Sequence, residues 1–265
     1  PMCIVALAWQ ILPKTPLLLI SNRDEFYARP TLPLHACDGI VAGRDKQAGG
    51  TWMGASLSGR WAVLTNFRDG QDKEQYATSR GALVQNYLDS QMTPLQFLED
   101  LKPSQTDYAG FNLIVGDGTQ AAYMSNKGIA PTLLASGVYT LSNGLISDEW
   151  FKCTHLRMRF CQEILPLVRQ NLNFDGLIIT PELSQAVWQV LEDTQKAKDD
   201  QLPNTGVDVY LERLLSSIFI QSSNYGTRVS NLLCLQNHHL TWQEKQQYGK
   251  HMGQIFSWSG HVQYK

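Results

Sequence analysis

The first third of the chain alternates short apolar stretches with polar breaks, and Gly or Pro marks most of the breaks. Cys3–Trp9, Pro16–Ser21, Ile40–Gly43, Thr51–Ala55 and Arg60–Asn66 have the length and composition of strands bounded by turns. From Thr78 to Ser90 and from Pro94 to Leu101, apolar residues recur at three- and four-residue spacing behind Ser, Thr or Pro, which predicts two amphipathic helices. Phe111–Val115 and Gln120–Ser125 flank Gly116-Asp117-Gly118, where glycine tolerates the positive φ of a tight hairpin, and Gly137–Ser142 predicts a further strand. Helical spacing returns from Asp148 to about Asn171, with Pro166 expected to kink or end it, and again in Pro181–Leu191 and Val207–Leu215. Arg228–Gln236, His239–Glu244 and Gln254–Trp258 read as closing strands. Strands at both ends around central helices predict an α+β layered sandwich rather than a doubly wound parallel sheet. The polar stretch 193–206 resembles a linker but reads equally as a solvated insertion, so one domain over 1–265 is expected.

With 43% hydrophobic and 17% charged residues in 265, the chain can bury a large core, which excludes global disorder. Its 22 basic and 24 acidic residues leave a net charge of −2 with no basic run, so nucleic acid is not an expected partner. Leu17–Ile20 falls far short of the ~18 apolar residues a spanning helix needs, and Gln10, Pro13 and Lys14 interrupt any secretory signal. No transmembrane segment and a cytoplasmic location are expected. Cys3, Cys37, Cys153, Cys161 and Cys234 are scattered without a Cys-x-x-Cys pair, which argues against a disulfide framework. His35, His155, His251 and His261 are isolated, and neighbours His238 and His239 would point opposite ways on a strand, so no metal centre is expected. Gly49–Gly54 lacks the lysine and spacing of a phosphate loop; it reads as a turn whose Trp52 lines a core or pocket, and no nucleotide cofactor is expected.

Two features carry candidate chemistry. Cys3 reads either as a small buried hydrophobe opening a strand or as a nucleophile. If Pro1 is foreign and Met2 an initiator that is removed, Cys3 joins a thiol of pKa ~8.5 to an α-amine of ~7.7–8.0 in one residue. The second is Ser21-Asn22-Arg23-Asp24-Glu25-Phe26, where charges follow LLLI directly and need partners or solvent. Alone it reads as a solvated strand end with a local Arg23–Asp24 pair.

Five ordered blocks, MCIVALAW, NRDEFYARPT, GRDKQAGGTWMG, GRWAVLTNFRDG and NYGTRVSNLL, together resemble the Asn-Arg-Asp-Glu family, also called the transport and Golgi organisation protein 2 family. That family is similar to N-terminal nucleophile (Ntn) hydrolases of the bile-salt hydrolase, penicillin V acylase and acid ceramidase group. The resemblance implies a four-layer αββα sandwich of two antiparallel sheets, with Cys3 as nucleophile, Arg23 and Asp24 beside it, Asn143 and Asn66 as oxyanion or substrate contacts, and Arg228 as the late arginine. This sequence departs from the hydrolases in that Arg23 and Asp24 are adjacent, Glu25 adds a carboxylate, and residues 1 and 2 block the amine. Adjacent strand residues face opposite ways, so Arg23 and Asp24 are not both expected to reach Cys3.

Three functions follow as expectations. The family resemblance implies intracellular haem trafficking or acyl-CoA and lipid handling: a small hydrophobic ligand with acidic groups, haem as a carried ligand, and haem-acceptor proteins as partners. A cleft centred on Cys3, with Asn22, Arg23, Trp52 and Arg228 as binding residues and Trp9, Trp61, Phe26 or Phe67 as lining, would suit that ligand. The alternative is a Cys3-nucleophile amidohydrolase of linear amides, with no catalytic metal. The least demanding is a scaffold that kept the fold without the chemistry.

Overall fold

The computed structural model describes residues 2–72, 74, 76 and 78–263. In chain order it contains β1 (Met2–Leu12), β2 (Thr15–Phe26), β3 (Thr31–Cys37), β4 (Ile40–Asp45), β5 (Met53–Ser56), β6 (Trp61–Asn66), α1 (Gly81–Asp89), α2 (Pro94–Leu101), β7 (Phe111–Gly116), β8 (Ala121–Ser125), β9 (Ile129–Leu133) and β10 (Gly137–Leu141). There follow α3 (Phe151–Arg159), α4 (Leu165–Gln170), β11 (Leu172–Asn173), β12 (Gly176–Leu177), α5 (Pro181–Leu191), α6 (Val209–Leu214), β13 (Tyr225–Gln236), β14 (His239–Gln246) and β15 (Ile255–His261).

Period-2 burial sets the layers. On β1, Val5, Leu7 and Trp9 enter a core with Val41, Met53, Trp61, Val63 and Ile114 of the facing sheet. Between them, Ile4, Ala6 and Ala8 point the other way, onto Leu156 of α3, Val168 of α4 and Val187 of α5. The facing sheet does the same: Ala42, Ala62 and Leu64 pack on Leu83, Val84 and Tyr87 of α1 and Leu98 of α2. The result is the expected αββα sandwich: a six-stranded sheet ordered β10-β1-β2-β13-β14-β15 on a seven-stranded sheet ordered β3 to β9, every pairing antiparallel. Among the described residues no helix is long and apolar enough to cross a membrane.

Three local differences from the sequence expectations have physical causes. First, β2 does not end at Ser21 but continues to Phe26, because Asn22 to Glu25 all find buried partners. Second, the long helix predicted from Asp148 is broken by a π-helical turn at Phe160–Ile164, which lets the chain enter α4 with Pro166 in its first turn, where a missing N–H costs nothing. Third, β3 and β9 escape the pattern because each carries a proline, Pro33 and Pro131, and lies at a sheet edge, where proline is tolerated.

Candidate active site

The β1–β2 register pairs Cys3 with Arg23 and Met2 with Asp24. Directly paired residues share a face, so Cys3 and Arg23 lie together on the inter-sheet side and Asp24 lies on the helix side. The polar tetrad is thus divided by the pleat: Arg23 and Glu25 serve one face, Asn22 and Asp24 the other. All four are buried, which corrects the solvated strand end and its Arg23–Asp24 pair.

On the inter-sheet face Arg23 stacks on Trp52 at 4.2 Å, and its Nη2 lies 3.3 Å from Asp45 and 3.5 Å from Glu25. Arg29 reaches the same carboxylates, at 2.7 Å from Asp45 and 3.6 Å from Glu25. Trp52 is held by close packing on Gly43, where an added Cβ would come within 2.7 Å of the indole. Behind it Glu244 is fully buried, with Oε1 accepting from the Leu34 N–H at 2.9 Å and Oε2 unpaired. Burial pushes its carboxyl up to about 7.

On the helix face Asn22 donates to the carbonyls of Leu191 and Ile218 and accepts from Ser230, so it ties β2 to α5 and the 215–220 segment. Asp24 accepts from Thr227 at 2.6 Å through one oxygen, while the other is buried without a partner. Burial raises its pKa to about 6, opposed chiefly by the buried ammonium of Lys152 on α3. Lys152 is a contributor that the sequence pattern did not expose, since it reads as one more polar position on a helix.

Cys3 opens into a cavity of about 90 Å³ lined by Arg23, Arg29, Trp52, Asn66 and Arg80 among others. One wall forms where Gly50 meets the start of α1: a Cβ at Gly50 would lie 2.6 Å from the Gly81 carbonyl carbon. Asn66 and Arg80 also line an adjoining recess of about 250 Å³ that includes Asn143, and this recess shares Phe67, Arg68 and Asp69 with an open trough of about 710 Å³. The three spaces are neighbours that share these lining residues.

Asn143 follows β10 and reaches β6: its Nδ2 donates to the Asn66 carbonyl at 2.7 Å, and Ser142 Oγ donates to the Cys3 carbonyl at 2.9 Å. These two bonds tie the oxyanion candidates to the strand that carries the thiol. Arg228 and Asn22 are not among the residues lining the cavity. The Arg228 Nη1 donates to the carbonyls of Phe26, Tyr27 and Arg29, so it clamps the turn after β2. Trp9 and Trp61 belong to the inter-sheet core, Phe26 is exposed, and Phe67 lines the trough. Of the proposed aromatic lining, Trp52 alone borders the Cys3 cavity.

With residue 2 attached, the thiol is not activated. Burial, and then Asp24, push its pKa up to about 12 against the pull of Arg23. A guanidinium beside a thiol favours the thiolate, but here desolvation outweighs it.

The chain is similar to known proteins over most of its length. The chain is 30% identical over 249 residues to the Transport and Golgi organization 2 homolog of Mus musculus, covering 86% of each chain. It is 28% identical over 243 residues to the Transport and Golgi organization protein 2 of Drosophila melanogaster, covering 83% of this chain and 82% of that one. Among solved structures, penicillin V acylase from Agrobacterium tumefaciens aligns over 96% of this chain and 85% of its own, at 12% identity and a TM-score of 0.49. The Transport and Golgi organisation 2 family model matches residues 2–249, and with the 30% identity to the mouse protein across most of both chains this shows that the chain belongs to that family.

Proposed function

We propose that the chain is a thiol hydrolase of small linear amides, in which Cys3, freed as the first residue, is the nucleophile. The observation that carries this reading is the Cys3–Arg23 register, which sets the thiol beside a buried cation in a cavity of about 90 Å³. That volume is about three waters at ~30 Å³ each, enough for a reacting carbonyl and its first substituents.

The chemistry follows from the residues around that cavity. The Cys3 sulfur adds to the carbonyl carbon while the α-amine takes the thiol proton. Asn66, which lines the Cys3 cavity, and Asn143, which lines the adjoining recess, supply neutral amide groups for the oxyanion. The carbon–nitrogen bond then breaks, the proton passes to the leaving amine, and water hydrolyses the thioester to release the acid and restore the thiol. Asp24, opposite position 2 in the ladder, holds the amine that the removal of residue 2 exposes.

A carried haem or acyl-CoA fits the same residues less well. The Cys3 cavity is well under the ~300 Å³ of ordinary ligand pockets, and its described lining contains no histidine. The outer trough has the volume, but Asp69, Asp148, Glu149 and Asp200 line it and oppose propionates or phosphates. The test is turnover of an N-acyl p-nitroanilide series by protein beginning at Cys3. Release of nitroaniline that vanishes in Cys3→Ser and in protein retaining Met2 supports the reading; haem binding with a Soret shift lost in Cys3→Ser, without amide turnover, overturns it.

A further inference from the structure

The charges around the Cys3 cavity do not balance. Arg23 and Arg29 share Glu25 and Asp45, two cations against two carboxylates. Arg80 stands outside this set. Its Nη1 donates to the Gly110 carbonyl at 2.8 Å, and among the described residues no carboxylate lies within the 4.0 Å of an ion pair. Asp72 acts on it only through space, while burial and the like charge of Arg29 pull its pKa below the usual arginine value. A partly buried guanidinium beside another cation is costly unless something supplies the missing negative charge.

The position and the free edge say what that is. Arg80 lines both the Cys3 cavity and the Asn143 recess, so it borders the thiol and the oxyanion candidates alike. With Nη1 anchored, Nε and Nη2 make no hydrogen bond to a described residue. These two groups form one edge of the guanidinium, the fork that grips a carboxylate through two parallel hydrogen bonds. We propose that Arg80 is the subsite for a carboxylate on the substrate, set a few bonds from the carbonyl that Cys3 attacks. The substrate class is then the monoamide of a short dicarboxylic acid, or an amide of similar reach. The location of the reacting carbonyl rests on the hydrolase reading; the carboxylate site does not.

The experiment is binding of glutarate, inorganic phosphate and neutral glutaramide to the full chain at constant ionic strength, followed by backbone NMR shifts and thermal melting. Wild-type protein and Cys3→Ser are expected to bind glutarate saturably, with shifts at Gly81 and Asn66, and not to bind glutaramide. Arg80→Gln is expected to weaken glutarate at least tenfold while melting cooperatively; if it fails to fold, Arg80→Lys, which keeps the charge but loses the fork, is expected to weaken it by a similar factor. No saturable glutarate binding, unchanged binding in the variants, or phosphate binding in preference to glutarate overturns the proposal. Glutarate binding that depends on Arg80 without amide turnover would leave the subsite standing and remove the hydrolase reading.

Discussion

Replacing Glu244 by Gln should reverse part of the protein's pH-dependent stability. Its carboxyl is fully buried, with Oε2 unpaired, and burial raises its pKa to about 7 from 4.5. Arg23 and the Leu34 and Gln246 donors pull the other way without winning. Since the folded state holds the proton more tightly than the unfolded state, stability is highest below pH 4.5 and is lost as pH rises through 7. At ~1.4 kcal/mol per unit, the loss is about 3 kcal/mol by pH 8. The amide of Glu244→Gln cannot ionise, so it avoids that loss, although an N–H placed where Oε2 lacks a partner costs about 1–2 kcal/mol at every pH. That fixed cost cancels when the same pair of proteins is compared at pH 5 and pH 8. Urea unfolding at both pH values should therefore show the variant gaining about 2–3 kcal/mol on wild type between them, because part of the loss is already present at pH 5, roughly 4–12 °C in Tm. A wild-type-to-variant difference that is the same at pH 5 and pH 8 would refute the reasoning.

Other outcomes follow from the divided tetrad. Arg23→Ala leaves the buried Glu25 with Arg29 as its remaining cation, so chemical unfolding should show a loss of about 3 kcal/mol rather than a folded protein with weaker binding. Asn22→Ala strips the Leu191 and Ile218 carbonyls of their donor and should cost about 2–3 kcal/mol, with amide exchange accelerated at the end of α5. Arg228→Ala should lower Tm through the loss of its clamp on the turn after β2 while glutarate affinity stays within twofold of wild type; a large affinity loss would return Arg228 to the ligand site.

The α+β layering was readable in the order of strand and helix patterns, while the four layers and the set of site residues were implied by the family resemblance rather than by periodicity. The near-continuous apolar run of β1 marks a strand buried on both faces, and period-2 arithmetic separates Arg23 from Asp24. What alternation could not reveal was the length of β2. Four polar residues after LLLI look like a strand end until Leu191, Thr227, Asp45 and Lys152, far away in sequence, supply their partners. Arg80 escaped for the same reason: at the start of a helix it reads as an ordinary surface cation, and only the Gly50–Gly81 contact brings it to the cavity wall. Trp9 and Trp61 misled in the opposite sense, since a large aromatic on a strand suits a core as well as a cleft.

The most direct test of the central claim is intact-mass spectrometry of protein beginning at Cys3, quenched in acid during reaction with a p-nitroanilide of a short acyl group. The account predicts one added acyl mass, mapped to Cys3, absent from Cys3→Ser and from protein that keeps Met2. An adduct that persists in Cys3→Ser, or that maps to the exposed Cys37 or Cys161 instead, would contradict it.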